Sequence, residues 1–181
     1  MTKHLKKLSE EVIDKNLWWE YKHDTYEKPR GGTGDYYYAE TGGAVMVVPV
    51  LADSRVVMVI QHRYLSDRQS VEFPCGGMKP GIGALENARR ELLEETGWVA
   101  EDFISIGSFE PDIGLIRDLV HVYIARADNQ QNPQPDDTEE IEIIYRHPEE
   151  IEEMISRGDI WDGETLAAWC LVRGSLMKNR Q

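Results

Sequence analysis

The stretch GGMKPGIGALENARRELLEETGW, residues 76–98, decides the fold. Its opening, GGMKPGIG, has the glycine and proline content of a loop that needs unusual backbone angles. The remainder predicts a helix from Ala84 to Thr96, with Leu85, Ala88 and Leu92 as its apolar stripe and Gly97 as its C-terminal cap. At about 100° per residue, Glu91, Glu94 and Glu95 fall within about a quarter turn beside that stripe, Glu95 nearest the core. Like-charged neighbours three or four residues apart each cost a few tenths of a kcal/mol, and acids in the last turn face the negative end of the helix dipole. A divalent cation would remove both penalties. Hard oxygen donors of this kind suit Mg2+, with Mn2+ as the alternative. The competing reading is a solvated helix whose acids pair with Arg89 and Arg90, since Glu94 lies four residues after Arg90.

On the N-terminal side of this stretch, Val71–Phe73 reads as a brief strand after a loop at Tyr64–Ser70. Before it, Ala44–Val50 and Val56–Gln61 are dense in β-branched residues, and Ala52-Asp53-Ser54-Arg55 supplies turn chemistry, so they predict a hairpin. On the C-terminal side, Ile104–Ser108, Val120–Ala125 and Ile141–Tyr145 read as strands, and Pro148–Arg157 and Glu164–Arg173 as helices. The alternation predicts an α/β (α+β) domain, a mixed sheet covered by helices. Composition changes near residue 40: the arm before it is rich in Trp, Tyr and charge, which divides the chain into an arm, 1–40, and a main domain, 41–181.

The 181 residues, 41% of them hydrophobic, suit one domain with a full core. A net charge of −13 argues against nucleic-acid or anionic-membrane surfaces, which need basic patches to displace counterions. Any phosphate-bearing partner must therefore be small and locally received. The most apolar stretch, Gly43–Ala52, is too short to span a bilayer, and MTKHLKKLSEEVIDK lacks the apolar run of a signal peptide. With Cys75 and Cys170 far apart and in no metal-ligand or disulfide pattern, the expected compartment is the cytoplasm.

The loop, the helix and the run Arg-Glu-Leu-Leu-Glu-Glu-Thr-Gly-Trp resemble the box of the Nudix hydrolases: Gly76, Arg90, Glu91, Leu92, Glu94, Glu95, Gly97 and Trp98 fall in register. The resemblance implies a Nudix fold and a loop-helix-loop metal site with Glu91, Glu94 and Glu95 as ligands and Arg90 among the catalytic residues. One position departs: Ile82 stands where the pattern has a glutamate that supports the loop and pairs with the box arginine. Glu86, four residues before Arg90, is spaced to take over that pairing.

Outside the box the chain is most similar to the ADP-ribose pyrophosphatase branch. Val-Glu-Phe-Pro-Cys-Gly, residues 71–76, resembles that branch's lead into the box and implies a metal contact from the Cys75 carbonyl. Gln61-His62-Arg63 resembles its Gln-x-Arg and implies that Arg63 approaches the diphosphate. Arg157-Gly158-Asp159-Ile160-Trp161-Asp162, followed by Thr165-Leu166, resembles its C-terminal pattern, whereas Asp112-Ile113-Gly114 lacks its proline before glycine. The branch builds a homodimer through an N-terminal β-rich arm and stacks adenine between aromatic rings of both subunits, a role the resemblance implies for Trp18 and Tyr36; the bland reading is ordinary core or interface packing. The acidic loop Asp136-Asp137-Thr138-Glu139-Glu140-Ile141 aligns with the branch's general base, which implies Glu139, with Asp137 and Glu140 as alternatives. The expected substrate is a small nucleoside diphosphate sugar, ADP-ribose first, with Gly76 lining its site. The alternatives are a house-cleaning nucleoside triphosphate pyrophosphohydrolase and a non-catalytic ligand-binding module on the same scaffold.

Overall fold

The computed structural model describes residues 4–134 and 140–177. Its strands are β1 (Lys6–Lys15), β2 (Trp19–Glu27), β3 (Thr33–Thr41), β4 (Ala44–Val50), β5 (Val56–Arg63), β6 (Arg68–Glu72), β7 (Cys75–Gly77), β8 (Trp98–Phe109), β9 (Ile116–Arg117), β10 (Val120–Gln130) and β11 (Glu142–Arg146). Its helices are α1 (Ala84–Thr96), α2 (Pro148–Arg157) and α3 (Gly163–Leu176). These elements divide into two compact units, Met1–Gly43 with Glu110–Leu119, and Ala44–Phe109 with Val120–Gln181.

The first unit is a sheet of order β1-β2-β3-β9. β1, β2 and β3 form an antiparallel meander. The segment Glu110–Leu119, inside the 41–181 region of the sequence-based division, adds β9 through a short parallel pairing, Ala39 with Ile116 and Glu40 with Arg117. Every residue of β1 is exposed. The sheet's buried chemistry is polar: the Lys22 ammonium lies 2.8, 3.2 and 3.3 Å from carboxylates of Glu40, Glu20 and Glu10. Those acids, Glu40 first, raise its pKa and hold its charge.

The second unit carries a mixed sheet of order β11-β5-β4-β10-β8, with β6 beside β5 and β7 beside β4. β4 and β10 are parallel, and the other pairs are antiparallel. β4 is buried on both faces. Val45 and Val47 pack with Ala88 and Leu92 of α1, while Met46 and Val48 belong to the core that holds Ile151 and Met154 of α2 and Trp169 and Val172 of α3. Coverage of both faces explains why Ala44–Val50 reads as an unbroken apolar run.

Three expectations need correction. The loop expected at Tyr64–Ser70 already carries the start of a strand, because β6 pairs with β5 from Arg68 onward and ends at Glu72. Leu85 is 43% exposed and stands outside the buried face, which takes in the polar Asn87, fully buried, along with Ala88 and Leu92. The strand expected at Ile104–Ser108 extends back to Trp98, because β8 pairs with β10 as far as Trp98 and Gln130, with register shifts along the way. Among the described residues, no helix is long and apolar enough to cross a membrane.

Candidate active site

Helix α1 begins after Gly83, which caps it with no side-chain bond, and ends at Gly97, whose φ of 70° is left-handed. A side chain at Gly97 would also run into the Gln131 carbonyl. Its inward face carries Asn87, Ala88, Glu91, Leu92 and Glu95. Two ionisable carboxylates are thus drawn inside: Glu91 is 8% exposed and Glu95 3%. Charged groups are rarely buried to this degree without a partner.

The partners come from the arginine and the loop. Arg90 pairs with Glu91 and, at 2.6 Å, with Glu94. Glu86 is not its partner, contrary to the i,i+4 expectation; the guanidinium turns toward the two acids on its C-terminal side and donates to Asn87 Oδ1 at 3.3 Å. Glu95 Oε1 accepts from the Cys75 backbone N–H at 3.4 Å, which ties the helix to β7. Gly76 lies so close to Glu91 that a Cβ there would fall within its carboxylate. Only glycine fits, for the close approach rather than for a special φ.

Cys75 Sγ sits 3.9 Å from Glu164 Oε2 of α3. Burial, then the carboxylates of Glu164 and Glu95, hold its thiol well above the usual cysteine range. Next to this loop, Glu72 is 1% exposed and receives Arg63 bidentately, Nε to Oε1 at 2.7 Å and Nη2 to Oε2, with Gln61 Nε2 also on Oε2 at 3.2 Å. That carboxylate keeps the Arg63 guanidinium charged, its pKa raised. Arg63 is therefore an anchored cation with a half-exposed side chain.

The structure brings together, within the second unit, Cys75, Gly76, Arg90, Glu91, Glu94 and Glu95. Glu139 and Asp137 lie outside the described residues. The chain leading toward them is tied to the helix, where the Gln134 backbone N–H donates to the Glu94 carbonyl at 2.8 Å. Trp18 and Tyr36 belong to the first unit and do not meet within it. Trp18 precedes β2 and is 75% exposed, and its neighbour Trp19 pairs with Thr41 whereas Tyr36 pairs with Asp24. Five residues of strand, about 16 Å at about 3.3 Å per residue, separate those levels. Tyr36 donates to the Gly114 carbonyl at 2.7 Å and lines a cleft of about 210 Å³ with Tyr38, Ile113 and Arg117.

The donor set fits a hard divalent cation in kind, three carboxylates on one helix face beside a backbone loop. Among the described residues, no three His, Cys, Asp or Glu side chains converge as a ready metal cluster, because Glu91 and Glu94 close on Arg90. The residue that sequence reasoning missed is Asn87. An amide at an interior helix position has no distinctive signal; only its complete burial reveals it.

A mixed sheet lies between helices, and a glycine loop feeds a helix whose inward face carries carboxylates. Residues 40–169 match the NUDIX domain family, and the chain belongs to that family. It is 29% identical over 147 residues, 80% of each chain, to the methanol dehydrogenase activator of Bacillus methanolicus. It is 29% identical over 144 residues, 78% of each, to the ADP-ribose pyrophosphatase of Bacillus subtilis (strain 168). A solved ADP compounds hydrolase shares the fold at a TM-score of 0.85, covering 99% of this chain and 98% of its own, at 19% identity. The chain is a Nudix pyrophosphohydrolase, placed with the ADP-ribose pyrophosphatase branch. Hydrolases of this family generally need a divalent metal ion.

Proposed function

We propose that the protein hydrolyses the diphosphate linkage of a nucleoside diphosphate sugar, ADP-ribose first, to a nucleoside monophosphate and a sugar phosphate, with Mg2+ as its ion. The observation that carries this reading is the seam between α1 and the loop: Glu91 against the Gly76 backbone, and Glu95 bonded to Cys75 N–H. Similarity to the Bacillus subtilis ADP-ribose pyrophosphatase supports the substrate class.

Glu91, Glu94, Glu95 and the Cys75 carbonyl would hold the metal. When bound, the ion neutralises diphosphate charge and lowers the pKa of water. Arg63 presents a charged guanidinium whose Nε and Nη2 are already committed to Glu72, leaving Nη1 for a phosphate oxygen. Arg90 bridges the Glu91 and Glu94 carboxylates and offsets the repulsion between them. Glu139 acts as the base that takes the proton from the attacking water. Gly76 lets the Glu91 carboxylate lie directly against the loop backbone.

The base is held by exposed aromatics of the arm. Trp18, 75% exposed, and Tyr36, 40% exposed, are too far apart along the sheet to stack in one chain, so a base between them requires the rings of two protomers, and the active species is a homodimer. Leu17, Trp18, Trp19, Tyr21 and Tyr37 add apolar area that dimerisation would cover.

A substrate panel with phosphate readout at controlled Mg2+ tests this. The expected result is the highest kcat/KM for ADP-ribose among diphosphate sugars and nucleoside triphosphates, and no turnover in chelator. A preference for triphosphates would overturn the substrate class.

A further inference from the structure

We propose that Asn87 is a positioning residue of the catalytic helix, the clamp that holds the glycine loop and Arg90 in one register. The proposal rests on the reading that the α1 seam is the catalytic site. Asn87 is fully buried, and the structure uses its whole hydrogen-bonding capacity. Oδ1 accepts from the Lys79 backbone N–H at 3.0 Å and from Arg90 Nη2 at 3.3 Å. Nδ2 donates to the Ile82 and Gly83 carbonyls, both at 3.1 Å. An amide has two acceptor sites and two donor hydrogens, and all four are spent. The amide's orientation follows from the network, since a flip would set Nδ2 against two other donors and Oδ1 against two carbonyls.

Each contact has a separate consequence. The bonds to Lys79, Ile82 and Gly83 pin both ends of the turn that carries Gly81, at φ 81°. The contact to Arg90 orients the guanidinium that holds Glu91 and Glu94. One buried side chain thus couples the loop backbone to the carboxylate face. In the loop, Lys79 is linked to Asn87 through its backbone, and Ile82 has no polar side-chain atom. Glu86, spaced for Arg90, is not bonded to it.

The test uses the full-length protein and the Asn87→Ala variant, read three ways. Hydrogen exchange of the Lys79 amide, whose acceptor is Asn87, is expected to accelerate while the amides of β4 and β10 keep their protection. Mn2+ affinity, titrated by electron spin resonance with the metal alone, is expected to fall about tenfold. With ADP-ribose, kcat is expected to fall between about 10-fold and 100-fold with KM within about threefold, as for a displaced catalytic group. Unchanged Lys79 exchange, or Mn2+ affinity and kcat both within about twofold of wild type, would overturn the clamp. Should Asn87→Ala fail to fold, Asn87→Asp replaces it: it keeps the volume and both acceptor contacts, but sets a carboxylate oxygen against the Ile82 and Gly83 carbonyls in place of the two donated bonds. Lys79 is then expected to stay protected while kcat still falls about tenfold or more, and a folded Asn87→Asp protein with an unprotected Lys79 amide, or with kcat within about twofold of wild type, would contradict the proposal. Exchange and Mn2+ affinity need no substrate, so a clamp that holds in a protein inactive on every diphosphate would sink the proposed substrate class alone.

Discussion

Helix α1 and the first sheet break the ordinary inside–outside rule in opposite directions. On α1, Asn87, Glu91 and Glu95 are buried. In the first unit, all of β1 is exposed, and Trp18, just before β2, and Tyr37 and Tyr36 of β3 stand 75, 50 and 40% exposed. Buried polar groups are costly unless they are bonded, and exposed rings are costly unless something covers them. The two kinds of exception therefore point to different functions. We propose that the buried acids, which meet an arginine and a backbone loop, serve chemistry, and that the exposed rings of the first unit serve recognition. Each can be broken separately.

The largest expected effect is on the helix. Glu95→Gln removes a carboxylate without changing volume, and should lower kcat about 1,000-fold or more, the scale of several kcal/mol of lost charge stabilisation. Near-ultraviolet circular dichroism should be unchanged. Near wild-type turnover in a folded variant would remove Glu95 from the metal site. Glu139→Gln should follow at about 100-fold in kcat with little change in KM, as for a base that acts in the transition state. If Asp137→Asn proves slower, the base has been assigned to the wrong acid of the loop.

Arg63→Ala comes next and tests stability as well as activity. It strands the buried Glu72 with Gln61, and denaturant unfolding should show a loss of about 1–3 kcal/mol, limited by water reaching the exposed Arg63 side. On the sheet, Trp18→Ala should raise KM for ADP-ribose about tenfold, the loss of one base–ring stack, with kcat nearly unchanged. Sedimentation at micromolar concentration should give a dimer. A monomer there would break the recognition half of the comparison. The smallest effect concerns Cys75. A thiol pKa raised by burial and by Glu164 means less thiolate at any given pH, so alkylation at pH 8 should spare Cys75 and mark the exposed Cys170 first. Faster loss of Cys75, read by mass spectrometry, would contradict its desolvated, acid-flanked setting.

How much of this was legible beforehand follows the same divide. The α1 bounds, Ala84–Thr96, and those of α2, Pro148–Arg157, match the sequence reading because glycine caps and apolar spacing are local signals. The inward turn of Glu95 was likewise legible from its angle on the helix. Which acid Arg90 chooses was not: i,i+4 spacing admits Glu86 and Glu94 alike, and the choice is made by tertiary surroundings. Leu85 reads as core by type but is 43% exposed, whereas the polar Asn87 is fully buried and bonded to the loop. The union of Glu110–Leu119 with the first sheet rests on pairings such as Ala39 with Ile116, far apart in sequence and without a local pattern. The aromatic arm announced its composition but not its strand register, because β1 is exposed on both faces and the inward positions of β2 are the polar Lys22 and Asp24, so no apolar alternation marks one.

The measurement that bears most directly on the catalytic claim is phosphorus NMR of ADP-ribose with wild-type protein, with Glu95→Gln, and with wild-type protein in chelator. With Mg2+, the wild-type protein should replace the diphosphate resonances by those of a nucleoside monophosphate and a sugar phosphate, and the other two samples should leave the diphosphate intact. A diphosphate that persists with folded wild-type protein and Mg2+, or that is cleaved equally well by Glu95→Gln or in chelator, would contradict the account.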